Sequence, residues 1–249
     1  MTSRGVRLNS SKGKIKMRGN HINDIIGLSR IITINLLLAL LVFIIFIILL
    51  LNTCYALVTG RNYDYLYIKS LSVISNIIEL IDQNNNDNSR RCIIYDRANK
   101  EPYLIRYYLL FVDRVNFPFN IFIHKFMKGD DDDDPHDHPW GFFHIILSSG
   151  YWENVPMKIN EHKFDRGFGK VWRPAGYWNI VSSDYTHRIE LREGEPKPWT
   201  IFIPFKRNNN WGFWVKQNDT EPWVKQNNED YLRNKDICRS NIHKESIVS

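Results

Sequence analysis

Two common catalytic signatures are missing from this sequence. It has no glycine-rich loop of the kind that cradles phosphates, and no serine nucleophile turn with a matching histidine and acid. Cysteine is scarce, with only Cys54, Cys92 and Cys238. A disulfide between Cys92 and Cys238 fits their positions, but spacing alone does not establish the pairing. The missing motifs argue against a P-loop nucleotide enzyme and against a serine hydrolase.

A basic surface is also missing outside the N-terminal arm. The chain has 33 basic and 27 acidic residues, which gives a net charge of +6. Residues 1–30 contain seven of the basic residues and one of the acidic residues, so the remainder has 26 of each. Because no basic stripe interleaved with aromatic residues occurs in the rest of the chain, a nucleic-acid partner is not expected.

Charged residues are absent from residues 31–51. As a helix, these 21 residues would be about 31 Å long, enough to cross the hydrocarbon core of a bilayer. A cleavable signal peptide usually has a hydrophobic region of only about 7–15 residues. We therefore predict an uncleaved transmembrane anchor (a signal-anchor) rather than a signal peptide or a buried core helix.

The flanking charges predict the orientation of this anchor. Basic residues precede the span, whereas only Arg61 and Lys69 follow it closely, so the positive-inside rule places the N-terminus in the cytoplasm. The rest of the chain would then be extracytoplasmic or lumenal, where Asn218 begins a glycosylation sequon. The predicted divisions are a basic arm (1–30), a transmembrane helix (31–51), a juxtamembrane helix and polar linker (52–91), a β domain (92–225) and a polar tail (226–249).

The β domain is predicted from short apolar segments that are separated by proline, glycine, asparagine and aspartate turns. With no long helix between them, the segments favour an antiparallel sandwich or barrel, and a jelly roll fits best. Nine candidate strands occur, at residues 92–95, 103–112, 119–126, 141–147, 171–173, 178–182, 186–191, 200–205 and 211–215.

A candidate metal site lies in the run His-Asp-His-Pro-Trp at residues 136–140. In an extended segment, side chains two residues apart share a face, so His136 and His138 would point the same way. A third imidazole is available at His187, within a strand-like run. Clustered imidazoles at this spacing are typical ligands of divalent transition metals.

Several runs together resemble a group of small cupin-like proteins found in bacteria and viruses. The general cupin pattern has two histidines, a glutamate five residues later and a glycine seven beyond. His136, His138 and Gly150 match it, but the glutamate position is Phe143. The matching runs are residues 119–126, 136–140, 146–153, 173–176, 186–191 and 211–214.

This resemblance implies an all-β, cupin-type double-stranded β-helix (jelly roll), preceded here by the transmembrane helix. It also implies a metal centre, with His187 as the third ligand and no carboxylate. Three neutral imidazoles suit Fe(II), which we favour, and also Zn, Ni, Mn or Cu.

Further residues are candidates for the pocket around this centre. His144 shares strand parity with the histidine pair, and His124 lies among alternating apolar residues. Trp140 and Lys206 are other candidates for the pocket or its rim. The acidic run at residues 130–134 lacks the alternating pattern of a calcium loop, so we predict a solvated loop there.

The sequence leaves three functions open. The first is a membrane-anchored, Fe(II)-dependent dioxygenase acting on a small polar substrate. The second is a non-catalytic binding or structural module that uses the jelly roll as a scaffold. The third is a metal-free isomerase or epimerase, with His136 or His138 as the base. Oligomeric state and substrate identity cannot be deduced from the residues.

Overall fold

The computed structural model describes most of the chain. Side chains within 11–28 and at 30 and 31 fall outside that description, as do Asn218 and Cys238. The sequon and the disulfide therefore stay predictions, while Cys92 lies in the first strand. The described residues are 11–61, 65–84, 90–96, 99–112, 118–157, 167–216 and 223–232.

Two helices precede the strands. They are α1 (Ser11–Thr59) and α2 (Tyr65–Asn84). The strands are β1 (Arg91–Tyr95), β2 (Pro102–Tyr108), β3 (Phe122–Phe126), β4 (Trp140–Ile146), β5 (Gly150–Pro156), β6 (Phe168–Pro174), β7 (Trp178–Val181), β8 (Arg188–Glu190), β9 (Trp199–Arg207), β10 (Gly212–Val215) and β11 (Val224–Asn227).

The strands form the two facing sheets of a jelly roll. The larger sheet has the order β1-β2-β3-β9-β4-β7, and all its neighbours are antiparallel. Opposite it are the sheets β6-β5-β8 and β10-β11. Isolated bridges from His136 to His187 and to Phe213 join these two smaller sheets. The predicted fold class, a β jelly roll with an apolar N-terminal helix, is confirmed.

Strand β4 shows why the larger sheet forms where it does. Six of its seven residues are buried, so its sequence is a continuous apolar run instead of an alternating one. Ile146 packs between the sheets with Leu104 and Tyr151, whereas Phe143 and Ile145 belong to the cluster on the opposite face. This strand is therefore covered on both faces.

Helix α2 covers the outer face of the larger sheet. Its apolar residues recur at helical spacing, and Leu71 and Ile78 share one hydrophobic cluster with Ile123 and Ile201 of the sheet. The Tyr67 hydroxyl also donates a hydrogen bond to a carbonyl near β7, at 2.9 Å. The structure therefore packs α2 against the jelly roll.

Helix α1 buries only one stripe of its apolar surface. Leu38 and Ile45 are fully buried against this cluster, whereas Leu40 and Leu50 are more than half exposed. Its segment Ile32–Thr59 is long and apolar enough to cross a membrane, as some core helices of soluble proteins and some signal sequences also are. Within the described part of the chain, one helix thus has the length and composition of a membrane span.

Strands β5 and β11 were not predicted. Gly150 begins β5 at a φ of 144°, and a Cβ atom there would lie 2.5 Å from the Arg173 carbonyl oxygen. Glycine is also typical of turns, so Gly150 indicated a turn in the sequence. For this reason the strand that begins at Gly150 was not recognised.

Candidate metal centre

The structure brings His136, His138 and His187 together between the two sheets. One ring nitrogen of each lies within 4.8 Å of the others, and the Nε2 atoms of His138 and His187 are 2.9 Å apart. The centroids of the three rings are 4.9–5.3 Å apart. We call these three residues the histidine triad. Their nitrogens converge on one point, as the ligands of a single metal ion must.

Backbone hydrogen bonds fix the triad in place. His136 and His187 exchange both of their N–H···O bonds, at 2.9 and 3.0 Å. On the other side, the Asp137 amide donates to the Gly212 carbonyl at 3.0 Å. The segment with His136 and His138 thus forms isolated β-bridges before β4, and it is not part of that strand. His136 and His187 are therefore held directly opposite each other by their own backbone groups.

Glu153 supports the triad from behind, and the sequence did not identify it. Its Oε1 atom lies 2.6 Å from His187 Nδ1, and its Oε2 atom accepts a 2.6 Å hydrogen bond from Arg173 Nε. The carboxylate is completely buried. Burial raises its pKa, but the bonds from His187 and Arg173 outweigh that effect and lower the pKa to about 2. Glu153 therefore stays ionised and fixes the ring of His187.

The donor set fits a transition metal. Burial lowers the pKa of His136, although the nearby Asp130 carboxylate partly opposes the shift. Burial lowers the pKa of His138 further, helped by the neighbouring imidazoles. Neutral imidazoles have free lone pairs, which metal ligation requires. Three ring nitrogens with a carboxylate behind one of them are the donor set of a metal site that keeps positions open.

A cavity of about 320 Å³ opens beside the triad. Three of the predicted pocket residues, His124, Trp140 and His144, line it together with the triad. Lys206, the fourth, is exposed and is not among the residues that line this cavity. It lies four residues beyond Phe202, which does line the cavity, so it is about 13 Å further along β9.

His144 lines the cavity but is not part of the triad. Its Nδ1 atom is 3.2 Å from the Tyr151 hydroxyl, and burial lowers its pKa to about 4. Phe143 faces the other way, with its ring centroid 5.7 Å from that of Phe46 in α1. The position that holds glutamate in the general cupin pattern thus points away from the cavity in this chain.

The acidic run at residues 130–134 is only partly solvated, which corrects the predicted solvated loop. Asp130 accepts a 2.6 Å hydrogen bond from the Tyr103 hydroxyl and a 2.7 Å bond from the Ile189 amide. Asp132 is also buried, whereas the Asp133 side chain is 92% exposed. Asp130 and Asp132 therefore lie near His136, and the tyrosine and backbone donors compensate for the burial of Asp130.

Comparisons with known proteins concern the fold. No family model matches the sequence, and no curated protein matches it. Similar solved structures include hydroxypropylphosphonic acid epoxidase from S. wedmorenis, at 14% identity over 55% of this chain and 74% of that chain, with a TM-score of 0.34. An RmlC-like cupin protein from Ralstonia eutropha JMP134 has 14% identity over 66% and 92%, with a TM-score of 0.34. A cupin domain from Bordetella pertussis Tohama I has 12% identity over 42% and 95%, with a TM-score of 0.30. The solved structures that this chain resembles thus include cupin-fold proteins.

Proposed function

We propose that this protein is an Fe(II)-dependent oxygenase whose iron is bound by the histidine triad. The observation that carries the proposal is the convergence of three imidazole nitrogens, all within 4.8 Å of one another, at the wall of a cavity. Three protein ligands leave coordination positions for substrate and O₂, and ligand sets with open positions are typical of non-haem iron oxygenases.

The triad, Glu153 and the aromatic walls of the cavity would have separate roles. His136, His138 and His187 would hold the iron, which when bound supplies the redox chemistry and Lewis acidity of the reaction. Glu153 accepts a hydrogen bond from the Nδ1–H group of His187, so the Nε2 lone pair of His187 faces the other imidazoles. The aromatic walls, including Phe142 next to His138, limit the access of water.

The cavity favours a substrate with an apolar body. Its lining includes Phe126, Phe142, Phe202, Ile189 and Leu104. A purely polar molecule would make few favourable contacts with this apolar surface. This departs from the small polar substrate predicted from the sequence. A molecule that combines an apolar part with one polar end matches the lining better.

We place the protein at a membrane through α1. The support is the apolar segment Ile32–Thr59, together with large side chains such as Phe43 that remain more than half exposed along it. The basic arm at residues 1–30 favours a cytoplasmic N-terminus and an extracytoplasmic or lumenal jelly roll.

Elemental analysis of the full-length protein in detergent tests the proposal. We expect about one iron per chain after anaerobic loading and chelator-free gel filtration, and a loss of most iron in His136→Ala and His138→Ala. His144→Gln is the matched control, because His144 lines the same cavity outside the triad. Equal iron in the wild type and the triad variants would overturn the proposal. Iron that is retained without any O₂ consumption over a panel of substrates would favour a non-catalytic binding module.

A further inference from the structure

One arginine lies in the wall of the cavity that also contains the histidine triad. Arg106 of β2 is in direct register with His124 of β3, and its Nε atom donates a 2.9 Å hydrogen bond to His124 Nε2. His124 is in turn in register with Thr200 of β9. All three residues line the cavity that contains the triad. They form one cross-strand row on the inner face of the larger sheet.

His124 is a neutral partner for this arginine. Its side chain is buried, and burial together with the Arg106 charge holds its pKa well below the usual value. A neutral imidazole accepts the Nε proton and orients the guanidinium group, but it does not neutralise the charge. His124 therefore orients the guanidinium group of Arg106 but does not neutralise its positive charge.

Aromatic rings surround the same guanidinium group. Its central carbon lies 4.7 Å from the ring centroid of Phe122 and 5.9 Å from that of Tyr108. Contacts of this kind stabilise a cation only modestly and restrict its rotamers. Phe122 and Tyr108 line a second cavity, which shares Arg106 and Trp140 with the cavity of the triad. Their rings shield one side of the guanidinium group from water, which strengthens its attraction to an anion.

Arg106 differs from the other half-buried arginines on the strands. Arg91 pairs with Asp82, Arg173 pairs with Glu153, and Arg188 pairs with Glu190. Among the residues that the structure describes, no carboxylate contacts Arg106. A half-buried guanidinium group without an acid is unfavourable unless a ligand supplies the anion. It is also the only lysine or arginine in the described lining of this cavity.

We infer that Arg106 binds the carboxylate of the substrate and so sets the substrate class as organic acids with an apolar body. The planar guanidinium group matches a carboxylate through two parallel hydrogen bonds. The apolar part would lie on Phe202 and Phe126, between Arg106 and the triad. This inference rests on the proposed function, because it assigns the acid to the same cavity.

A pair of matched probes tests the charge recognition without any mutation. The full-length protein is titrated calorimetrically with 3-phenylpropionate and with 3-phenylpropionamide, which differ only in the charged group. We expect the acid to bind at least about tenfold more tightly than the amide, as expected for a charge-assisted pair in a water-poor site. Equal binding of the two probes, or no binding of the acid, would overturn the inference.

Variants then locate the recognition. In Arg106→Gln the preference for the acid should disappear, and in Arg106→Lys it should be reduced but present, because the charge remains without the planar fork. Lys206→Gln removes an exposed cation from the same sheet and should keep the full preference. A preference that survives in Arg106→Gln would overturn the inference, and thermal denaturation shows whether each variant is folded.

The same titration on chelator-treated protein separates this inference from the proposed function. Without metal, an acid can gain its preference from Arg106 but not from the triad. If the wild-type protein retains no iron yet still prefers the acid through Arg106, the oxygenase proposal fails and the carboxylate site stands. If iron is retained but the preference is absent, the oxygenase proposal stands and the assignment of Arg106 fails.

Discussion

Glu153 lies between the guanidinium group of Arg173 and the imidazole of His187, a member of the triad. Its two carboxylate oxygens are both engaged, one with His187 and one with Arg173, and none of its surface is exposed. A buried carboxylate in this position fixes the tautomer and the orientation of the imidazole that it contacts. Metal affinity should therefore depend on Glu153, although its carboxylate is not among the groups that would bind the metal.

Glu153→Gln should lower the metal affinity by about 10- to 100-fold, because a neutral amide orients His187 less firmly and lowers its basicity. Competition with a chromophoric chelator measures this affinity. Glu190→Gln is the matched control, because Glu190 lies on the neighbouring strand and its carboxylate contacts Asn154, Lys170 and Arg188 instead of the triad. An affinity of Glu153→Gln equal to that of the control would contradict this role.

The three histidines could be identified from the sequence, whereas Glu153 and Arg106 could not. His136 and His138 are two residues apart, so strand parity alone places them together. Glu153 reaches His187 across 34 residues through the pairing of β5 with β8. Such a pairing depends on strand register, which is a tertiary property. Arg106 stands out only when the acidic partners of the other arginines are known.

Helix α2 is attached to the larger sheet by a buried polar network as well as by apolar packing. The Asp82 carboxylate accepts hydrogen bonds from the Tyr107 hydroxyl at 2.6 Å and from Arg91 at 3.0 Å. Glu79 accepts bonds from Lys125 and from the Trp199 indole. Burial raises the pKa of Asp82, but the bonds from Tyr107 and Arg91 outweigh it and lower the pKa below its usual value of 3.8.

Asp82→Asn should reduce the free energy of unfolding by about 2–3 kcal/mol, because Arg91 and Lys125 lose a buried counter-charge. The contribution of Asp82 is complete above its unfolded pKa near 3.8 and is lost as the pH falls through the lower folded value. The difference between variant and wild type should thus shrink in acid. Denaturant titrations at neutral and acidic pH measure it, with Glu195→Gln as the exposed control. A difference that does not change with pH would contradict the role of Asp82.

Phe143→Glu restores the general cupin glutamate but should not create a fourth ligand. Phe143 is only 7% exposed and faces α1, so a carboxylate there would be buried among apolar side chains and destabilise the protein by about 3 kcal/mol or more. Its cross-strand neighbour Ile180 is 61% exposed, so Ile180→Glu should be tolerated. Thermal denaturation and metal affinity test both variants. Tighter metal binding in Phe143→Glu would show that this position faces the triad.

Nine of the eleven described strands could be predicted, but their exact bounds could not. β4 and β9 are rich in β-branched and aromatic residues, and both were identified. β11 has the sequence Val-Lys-Gln-Asn, and its position is set by pairing with β10. The sequence pattern contains no apolar alternation there to indicate a strand.

The whole molecule combines a jelly roll with a helix whose surface is unusually apolar. One stripe of α1 packs against α2 and the sheet, while residues such as Leu36, Phe43 and Leu51 stay more than 60% exposed. A surface of this kind is normally covered by lipid or by another protein.

The full-length protein should therefore remain in the membrane fraction after alkaline carbonate extraction, because an apolar helix of this length inserts almost irreversibly. Replacing Leu40 and Phe43 by lysine should release the protein, since charges at the centre of a span are strongly disfavoured. Ser70→Lys in α2 is the control and should stay membrane-bound. Complete extraction of the wild type would show that α1 is a core helix. Glycosylation at Asn218 would independently support the predicted orientation.

The most direct test of the central claim is electron paramagnetic resonance of the Fe(II)-loaded protein exposed to nitric oxide. Nitric oxide gives a distinctive iron–nitrosyl signal only when bound iron keeps an open coordination position. The account predicts about one such iron per wild-type chain, and loss of most of the signal in His187→Ala but not in His144→Gln. A wild-type protein without the signal, or a His187→Ala variant with an undiminished one, would contradict the claim that the histidine triad holds an open metal centre.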